Sequence, residues 1–464
     1  MTLRPRTIAI VGGGCSGTLA AVQLLRSRPR VSTRIVLIER SGVFGRGIAF
    51  ARHPFPYLLN VPASRMSASA TAPDEFLEFA RRRDPAVSPH DFLPRSLYGE
   101  YLQQLLDAAA RSAGPHVQLV AMHAEVVALA VGAAAAPLVL TLLAEPALEA
   151  DAVVLATGHS RPRRWPELAA VAGHPAVVTN PWSCMRDYRP HERVLVLGSG
   201  LTMADVVSAA LSAEPTVRLW SLSRHGLVPR VQSEPRPDFP AAATAIAQLE
   251  SARSARQLLR ATRRIAADAA GCGGDWREAV QLARQEAPTL WRRLPVGERR
   301  RFLRHLRSFW DVHRHRLPPS IAERLDRASG DGTLTVSAGR LRGCTAEGAQ
   351  LSVRWRARGA SEDRSERLDR IIVATGPDAG LAEGAEPLWQ SLLGSGTAVT
   401  DELALGIRTG ANGALLDRGG RASTRIFYAG PLLRADHWEA TAVHELRTHI
   451  EALARQLADP AGSR

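Results

Sequence analysis

The sequence predicts an α/β protein, and three observations carry that prediction. The stretches TIAIVGGGCSGTLAAVQLL (Thr7–Leu25) and VLVLGSGLTMADVVSAAL (Val194–Leu211) share one order: apolar run, glycine turn, amphipathic helical run. ALEADAVVLATGH (Ala147–His159) and RLDRIIVATGP (Arg367–Pro377) are apolar runs that reach Ala-Thr-Gly. Between these β-type regions, residues 241–327 lose strand signals and keep helical periodicity. The fold expected is two Rossmann-like dinucleotide-binding domains, three-layer ββα in type, with an inserted helical segment.

Taken in order, Thr7–Val11 reads as a first strand, the glycine turn and a helix follow, and Arg34–Ile38 reads as the second strand. Residues 41–70 are rich in Gly, Pro and aromatics and read as loop. Helical patterns lie near 73–83 and 96–112, and 117–157 alternates as β-strands. Residues 191–224 repeat strand, turn, helix and strand. Residues 241–327 supply the helical insertion, after which GTLTVSAGRLRGC, AQLSVRWRAR and RLDRIIVATGP restore β patterning. A strand at RIFYAG and a helix from about Glu439 to Leu457 complete the chain. The domains expected are 1–190 as the first part of an FAD-binding domain and 191–240 as a NAD(P)H-binding core. The insertion is 241–327, and 328–464 returns to the FAD domain.

Gly12, Gly14 and Gly17 satisfy GxGxxG between strand and helix. The first permits the tight turn, the second lets the backbone approach a pyrophosphate, and the third lets helix pack on strand. The helix N-terminus then offers unsatisfied N–H groups and partial positive charge. Glu39 ends the next strand, where a carboxylate accepts from ribose hydroxyls, and Arg40 follows it. In the second turn, Gly198 and Gly200 are present, but Met203 stands where a third glycine would be. The strand after it ends in Ser223-Arg224-His225, and an Arg there suits a ribose 2′-phosphate or stacks on adenine. The Ala-Thr-Gly strands, with Gly158 and Gly376, fit crossings between an FAD and a nicotinamide domain. One turn is therefore expected to hold FAD and the other NAD(P)H.

Composition limits the alternatives. The chain has 464 residues, 45% of them hydrophobic, which is enough for two or three cores. Its formal charge is +14 and every base is Arg; the arginines are scattered rather than interleaved with stacking aromatics, so no nucleic-acid surface is expected. That positive field attracts anionic cofactors and substrates, and the lack of Lys removes Schiff-base chemistry. No apolar run reads as a membrane span, the N-terminus reads as mature sequence, and the expected location is the cytoplasm. Cys15, Cys184, Cys272 and Cys344 form no CxxC and no metal spacing, so free thiols are expected.

At the level of whole motifs, the chain resembles the two-dinucleotide-binding-domain flavoproteins. Within them it resembles the bacterial FAD/NAD(P)-binding family related to flavin monooxygenases and to one type of FAD-dependent urate hydroxylase. The resemblance rests on IVGGGCSG, FGRGIAF, LLNVPASRMSA (Leu58–Ala68), FLPRSLYGEYL (Phe92–Leu102), VVLATGH, VLVLGSGLTMAD, SRHGLVP, HLRSFWDVHRHRLPP (His305–Pro319), VATGP and FYAGPLLRADHWEATAVHELR. Three departures stand out. Gly430-Pro431 replaces the usual Gly-Asp, so backbone amides from Gly430 to Leu433 are expected at the flavin. The FxGxxxH stretch of flavin and Baeyer–Villiger monooxygenases is missing, and so is the CxxC of disulfide reductases.

The resemblance implies an NAD(P)H-consuming FAD monooxygenase, acting through a flavin hydroperoxide on O2 and a small planar or amine-bearing metabolite, with urate as the specific guess. A flavin reductase passing electrons to a quinone or partner protein is the alternative, and a non-catalytic flavin scaffold a third reading. Asn60 in LNVPASRM is expected at the reactive face of the flavin, or as a turn cap. Arg65 and Arg95 hold the substrate anion or FAD phosphates, or pair on the surface. His313 lies in a run with three His, three Arg, Trp310 and Asp311, suited to proton shuttling; the His313/His315 pair with Asp311 lacks a fourth ligand, and no metal is expected. Trp438, Glu439 and Thr441 are expected to face the isoalloxazine, or Glu439 to cap the last helix. Homodimerisation is left open.

Overall fold

The computed structural model describes residues 4–29, 31–133, 136–160, 163–183, 187–233, 242–376, 381, 386–410, 412–439 and 442–459. The chain divides into two compact units. The first comprises Met1–Arg52, Val61–Arg161 and Asp378–Arg464; the second comprises His53–Asn60 and Pro162–Pro377.

The first unit is built on a six-stranded sheet. Its strand order is Ala414–Leu416, Ala422–Tyr428, Ala152–Leu155, Arg6–Val11, Thr33–Glu39 and Val117–His123. All neighbours are parallel except the Ala414–Leu416 pairing. Parallel strands covered on both faces must be apolar throughout, which is why TIAIV and AVVL read as unbroken runs. Ala9, Val11, Val36, Ile38, Val153 and Leu155 turn to one face. There they meet Leu129, Leu138 and Leu140 of a three-stranded antiparallel meander, and Leu388, Trp389 and Leu392 of helix Pro387–Gly394. The other face is covered by helix Cys15–Arg26, which packs against helices Arg95–Arg111 and Val443–Ala458. Meander, sheet and helices make the three layers expected. The last helix starts at Val443, four residues later than the pattern placed it.

The second unit repeats the plan with one economy. Its seven-stranded sheet runs Arg364–Leu368, Gln350–Ala357, Leu334–Glu347, Arg218–Ser223, Arg193–Leu197, Arg370–Val373, Val177–Val178. The long strand Leu334–Glu347 pairs parallel with Arg218–Ser223 through Ala338, then antiparallel with Gln350–Ala357 from Gly339 onward, past an irregularity between Leu341 and Gly343. One strand thus serves both nucleotide sheet and meander. Helices Leu201–Ala213 and Pro319–Gly330 pack together over one face, with Val194, Val196, Met203 and Leu325 buried there.

The domain limits expected at 190 and 328 do not coincide with these units. His53–Asn60 belongs to the second unit because Tyr57 and Phe55 pack into its core beside Trp182 and Tyr188. Residues 163–178 belong there because Leu168 and Val171 are buried against the second sheet and Val177–Val178 is its edge strand. The return to the first unit comes at Asp378, since Leu334–Leu368 is meander of the second sheet. The helical segment holds six helices from Ala242 to Gly330, with a small core of its own around Leu249, Ile265, Leu282 and Leu290. Among the described residues no helix is long and apolar enough to cross a membrane.

Candidate functional site

The two glycine turns share one backbone geometry at their first glycine. Gly12 has φ +105° and Gly198 φ +108°, values that favour glycine. Gly12 N–H donates to Ile38 O and Gly198 N–H to Leu222 O, at 2.8 and 2.9 Å. A Cβ on Gly12 would lie 2.3 Å from Ala156 O; on Gly198 it would lie 2.5 Å from Ala374 O. Each turn is thus pressed against the Ala of its own Ala-Thr-Gly, which gives those two strands a mechanical role. Gly158 (φ +70°) and Gly376 (φ +79°) follow, and both face open space.

Each turn leads into a helix whose N-terminus no side chain caps. Gly14 and Gly200 occupy the N-cap positions, and neither first turn holds an acid. The orphan N–H groups and the positive dipole end are the physical basis of anion binding at such turns. The turns differ at the third glycine. A Cβ on Gly17 would sit 1.8 Å from Gly12 O, so only glycine fits. Met203 stands at that position in the second unit and is fully buried in its core.

They differ again at the following strand end. Glu39 accepts from Gly13 N–H at 2.8 Å and from Ser41 N–H and Oγ–H at 3.0 and 2.8 Å. Three of a carboxylate's roughly four acceptor sites are used, and one is left for a hydroxyl. In the second unit Ser223 takes this place, bridged to Ser199 Oγ at 2.8 Å, and Arg224 follows. The Arg224 guanidinium is held below its ordinary value, first by partial burial and then by the charges of Arg307, Arg340 and Arg163. Its neighbour His225 takes a hydrogen bond from Arg358 at 3.1 Å and packs 5.8 Å from the exposed ring of Phe309. The positive charge gathered around Arg224 would be eased by a bound anion.

The other expected site residues fall as follows. Arg40 is half-exposed and ion-paired to Glu386 at 2.8 Å and to Glu125 at 3.8 Å. Asn60 lies in the second unit, its carbonyl accepting from Gln232 Nε2 at 2.9 Å. Arg65 ends the short 3-10 turn Ala63–Arg65 and is exposed, and Arg95 opens helix Arg95–Arg111; both belong to the first unit. His313 lies in the helical segment of the second unit, with Nδ1 2.7 Å from Phe309 O and its ring on edge to Trp276 at 4.8 Å. Among the described residues no cluster of His, Cys, Asp or Glu could hold a metal. Trp438 and Glu439 are buried, with Arg434 4.2 Å above the Trp438 ring. Glu439 lies ahead of the last helix, whose N-cap is Ala442. Thr441 and Cys184 lie outside the described residues.

Two of the amides expected at the flavin, from Gly430 to Leu433, are engaged within their own turn. Leu432 N–H is taken by Tyr428 Oη and Leu433 N–H by Gly430 O, and Pro431 has none. The residue that organises this turn is Tyr428, which lies within the FYAGPLLR motif but has no role assigned from sequence. It is fully buried, and its Oη donates to Gly158 O at 3.3 Å while accepting from Leu432. Trp389 Nε1 donates to Thr157 Oγ1 at 3.2 Å, so two aromatic side chains hold the first Ala-Thr-Gly turn. The signal was the aromatic pair in RIFYAG, which strand propensity alone explains.

Residues 9–160 match the sequence model of a family described as FAD-NAD(P)-binding. No curated protein matches the sequence. Among solved structures, ornithine N-hydroxylase of Kutzneria sp. 744, with reduced FAD, NADP+ and L-ornithine, superposes with a TM-score of 0.64 at 15% identity, covering 99% of this chain and 100% of that one. L-lysine 6-monooxygenase from Pseudomonas syringae gives 0.63 at 15% identity over 98% and 100%. Bacillithiol disulfide reductase from Bacillus cereus gives 0.56 at 12% over 98% and 100%. At these identities the likeness is one of fold. The chain has the two-dinucleotide-binding flavoprotein fold, with an FAD/NAD(P)-binding domain at its N-terminus.

Proposed function

We propose that this protein is an FAD-dependent, NAD(P)H-consuming monooxygenase of a small metabolite, with FAD on the first glycine turn and the nicotinamide nucleotide on the second. The observation that carries the reading is the paired geometry of Gly12 and Gly198, each backed by an Ala-Thr-Gly carbonyl and each followed by an uncapped helix. The chemistry around them separates the two roles. Glu39 suits a ribose bearing free hydroxyls, and the Arg224 cluster suits a 2′-phosphate. FAD, when bound, supplies redox and oxygen chemistry that no side chain here supplies. The first turn's amides hold its pyrophosphate, Glu39 orients its ribose, and Tyr428 with Trp389 keeps the Thr157-Gly158 turn in place.

A dithiol reductase is disfavoured by the cysteines. The three described ones are free thiols: burial pushes Cys15 up to about 12 and Cys344 up to about 11, so both stay protonated near neutrality, and Cys272 is a lone exposed thiol. Of the substrates expected, an amine-bearing metabolite ranks ahead of urate. The hydroxylases of similar fold are titled for ornithine and lysine, and none of the three structures compared above is titled for a purine.

The test is simultaneous measurement of O2 uptake, NAD(P)H oxidation and product mass across a panel of diamines, basic amino acids and purines. A monooxygenase consumes O2 and NAD(P)H together only with its substrate, and the product gains one oxygen atom. Equal NAD(P)H turnover without O2, in the presence of a quinone, would establish the reductase alternative instead.

A further inference from the structure

The stretch FGRGIAF (Phe44–Phe50) is used by neither turn, yet it lies against the first one. Gly45 N–H donates to Gly13 O at 2.8 Å. Gly14 and Gly47 face each other so closely that a Cβ on Gly14 would lie 3.4 Å from Gly47 Cα, and one on Gly47 3.3 Å from Gly14 Cα. Gly45 and Gly47 have φ +85° and +54°, so the backbone doubles back over the turn. The amides of Gly47, Ile48 and Ala49 have no acceptor among the described residues, whereas Phe50 N–H returns to Arg46 O.

What fixes this loop is Arg46, a buried arginine with 8% of its surface exposed. Its Nε donates to Gln103 Oε1 at 3.1 Å and its Nη1 to Ser96 O at 3.4 Å, with Glu100 3.9 Å from Nη2. Gln103 in turn donates Nε2 to Phe44 O at 3.0 Å. Gly99 removes the last obstacle: a Cβ there would lie 2.5 Å from Phe50 O and 3.0 Å from Arg46 Cγ. Helix Arg95–Arg111 thus grips the loop at Ser96, Gly99, Glu100 and Gln103, on one face at helical spacing.

We propose that Arg46 is a positioning residue for the dinucleotide: clamped to helix Arg95–Arg111, it holds the Gly45–Ala49 backbone beside Gly14 as the second wall of the pyrophosphate site. This rests on the reading that the first turn binds FAD. Two donors of the planar guanidinium are committed to the helix, so the role requires that fork and not merely a positive charge. The loop's free amides, not the Arg46 head, face the phosphates.

The test is FAD affinity of the apoprotein, read by quenching of flavin fluorescence, with NADP+ affinity and far-UV circular dichroism measured in parallel. Arg46→Met, Arg46→Lys and Gln103→Leu should each raise the Kd for FAD at least tenfold, with NADP+ affinity and helix content unchanged. Rescue by Arg46→Lys would overturn the positioning role, because a charge alone would then suffice. So would an unchanged Kd in Arg46→Met, or an equal loss of NADP+ affinity. If Arg46→Met fails to fold, Gln103→Leu decides alone, since it removes the clamp and leaves the arginine. Wild-type protein that refuses FAD would instead refute the assignment of the first turn.

Discussion

Gly12 and Gly200, the first glycine of one turn and the second of the other, answer different physical demands. Gly12 combines φ +105° with a carbonyl 2.3 Å from any Cβ, so Gly12→Ala strains the backbone and displaces Ala156. It should cost at least about 2 kcal/mol of stability together with FAD binding. Gly200 has φ −88° and nothing within 4 Å of a Cβ. Gly200→Ala should leave the melting temperature within about 2 °C and lower nicotinamide nucleotide affinity roughly tenfold, because the methyl occupies space the pyrophosphate needs. A loss of stability in Gly200→Ala, seen by calorimetry, would contradict this division. Arg224→Ala should reduce kcat/KM for NADPH by roughly 10- to 100-fold, the worth of a charge-assisted contact, and spare NADH. Equal losses would remove the 2′-phosphate assignment. At this scale the sequence shows where the turns demand glycine, and shows far less of what each side chain meets. GxGxxG encodes a backbone requirement local to a few residues. Whether Arg40 meets a cofactor or Glu386 depends on residues hundreds of positions away, and so does the hold of Tyr428 on Gly158.

The Ala-Thr-Gly strands carry a second shared device at their other ends. Asp151 and Asp369 each precede the strand, and each carboxylate accepts the amide of the neighbouring first strand, Thr7 at 2.7 Å and Arg193 at 2.8 Å. The backbone returns the bond, Asp151 N–H to Thr7 O and Asp369 N–H to Arg193 O. A charged acceptor on a backbone amide contributes about 1.5–3 kcal/mol, so Asp369→Ala should destabilise the protein by that order. Burial raises the Asp369 carboxyl, but the Arg193 amide, Gln350, Arg189 and Arg193 together outweigh it and hold it below the usual carboxylate value. Its folded pKa is thus the lower one, and the stabilisation is complete above the unfolded value of about 4 and lost as pH falls through the folded value. Urea melts at pH 7 and pH 3 should show Asp369→Asn converging on wild type at the lower pH; a constant difference would sink the linkage. Strand existence was legible from apolar runs that no other element explains. Which sheet each strand joined was not, because Leu334–Glu347 pairs with both Arg218–Ser223 and Gln350–Ala357, and only tertiary pairing reveals that.

For the molecule as a whole, the plan is one unit interrupted by another, each with its own sheet, meander and glycine turn. The interruption was legible, since the C-terminal strand and helix had to return to the first sheet. The exact joins at residues 53, 61, 162 and 378 were not. Aromatic residues set the first two: Phe55 and Tyr57 draw a short segment of an apparent first-domain loop into the second core. The central claim is that the chain carries two independent dinucleotide sites of different preference. Equilibrium titration of apoprotein, first with FAD and then with NADP+, tests it most directly. The account predicts one FAD per chain, followed by one NADP+ per chain that displaces no flavin. Competition of the two ligands for a single site, or protein that takes up neither, would contradict it.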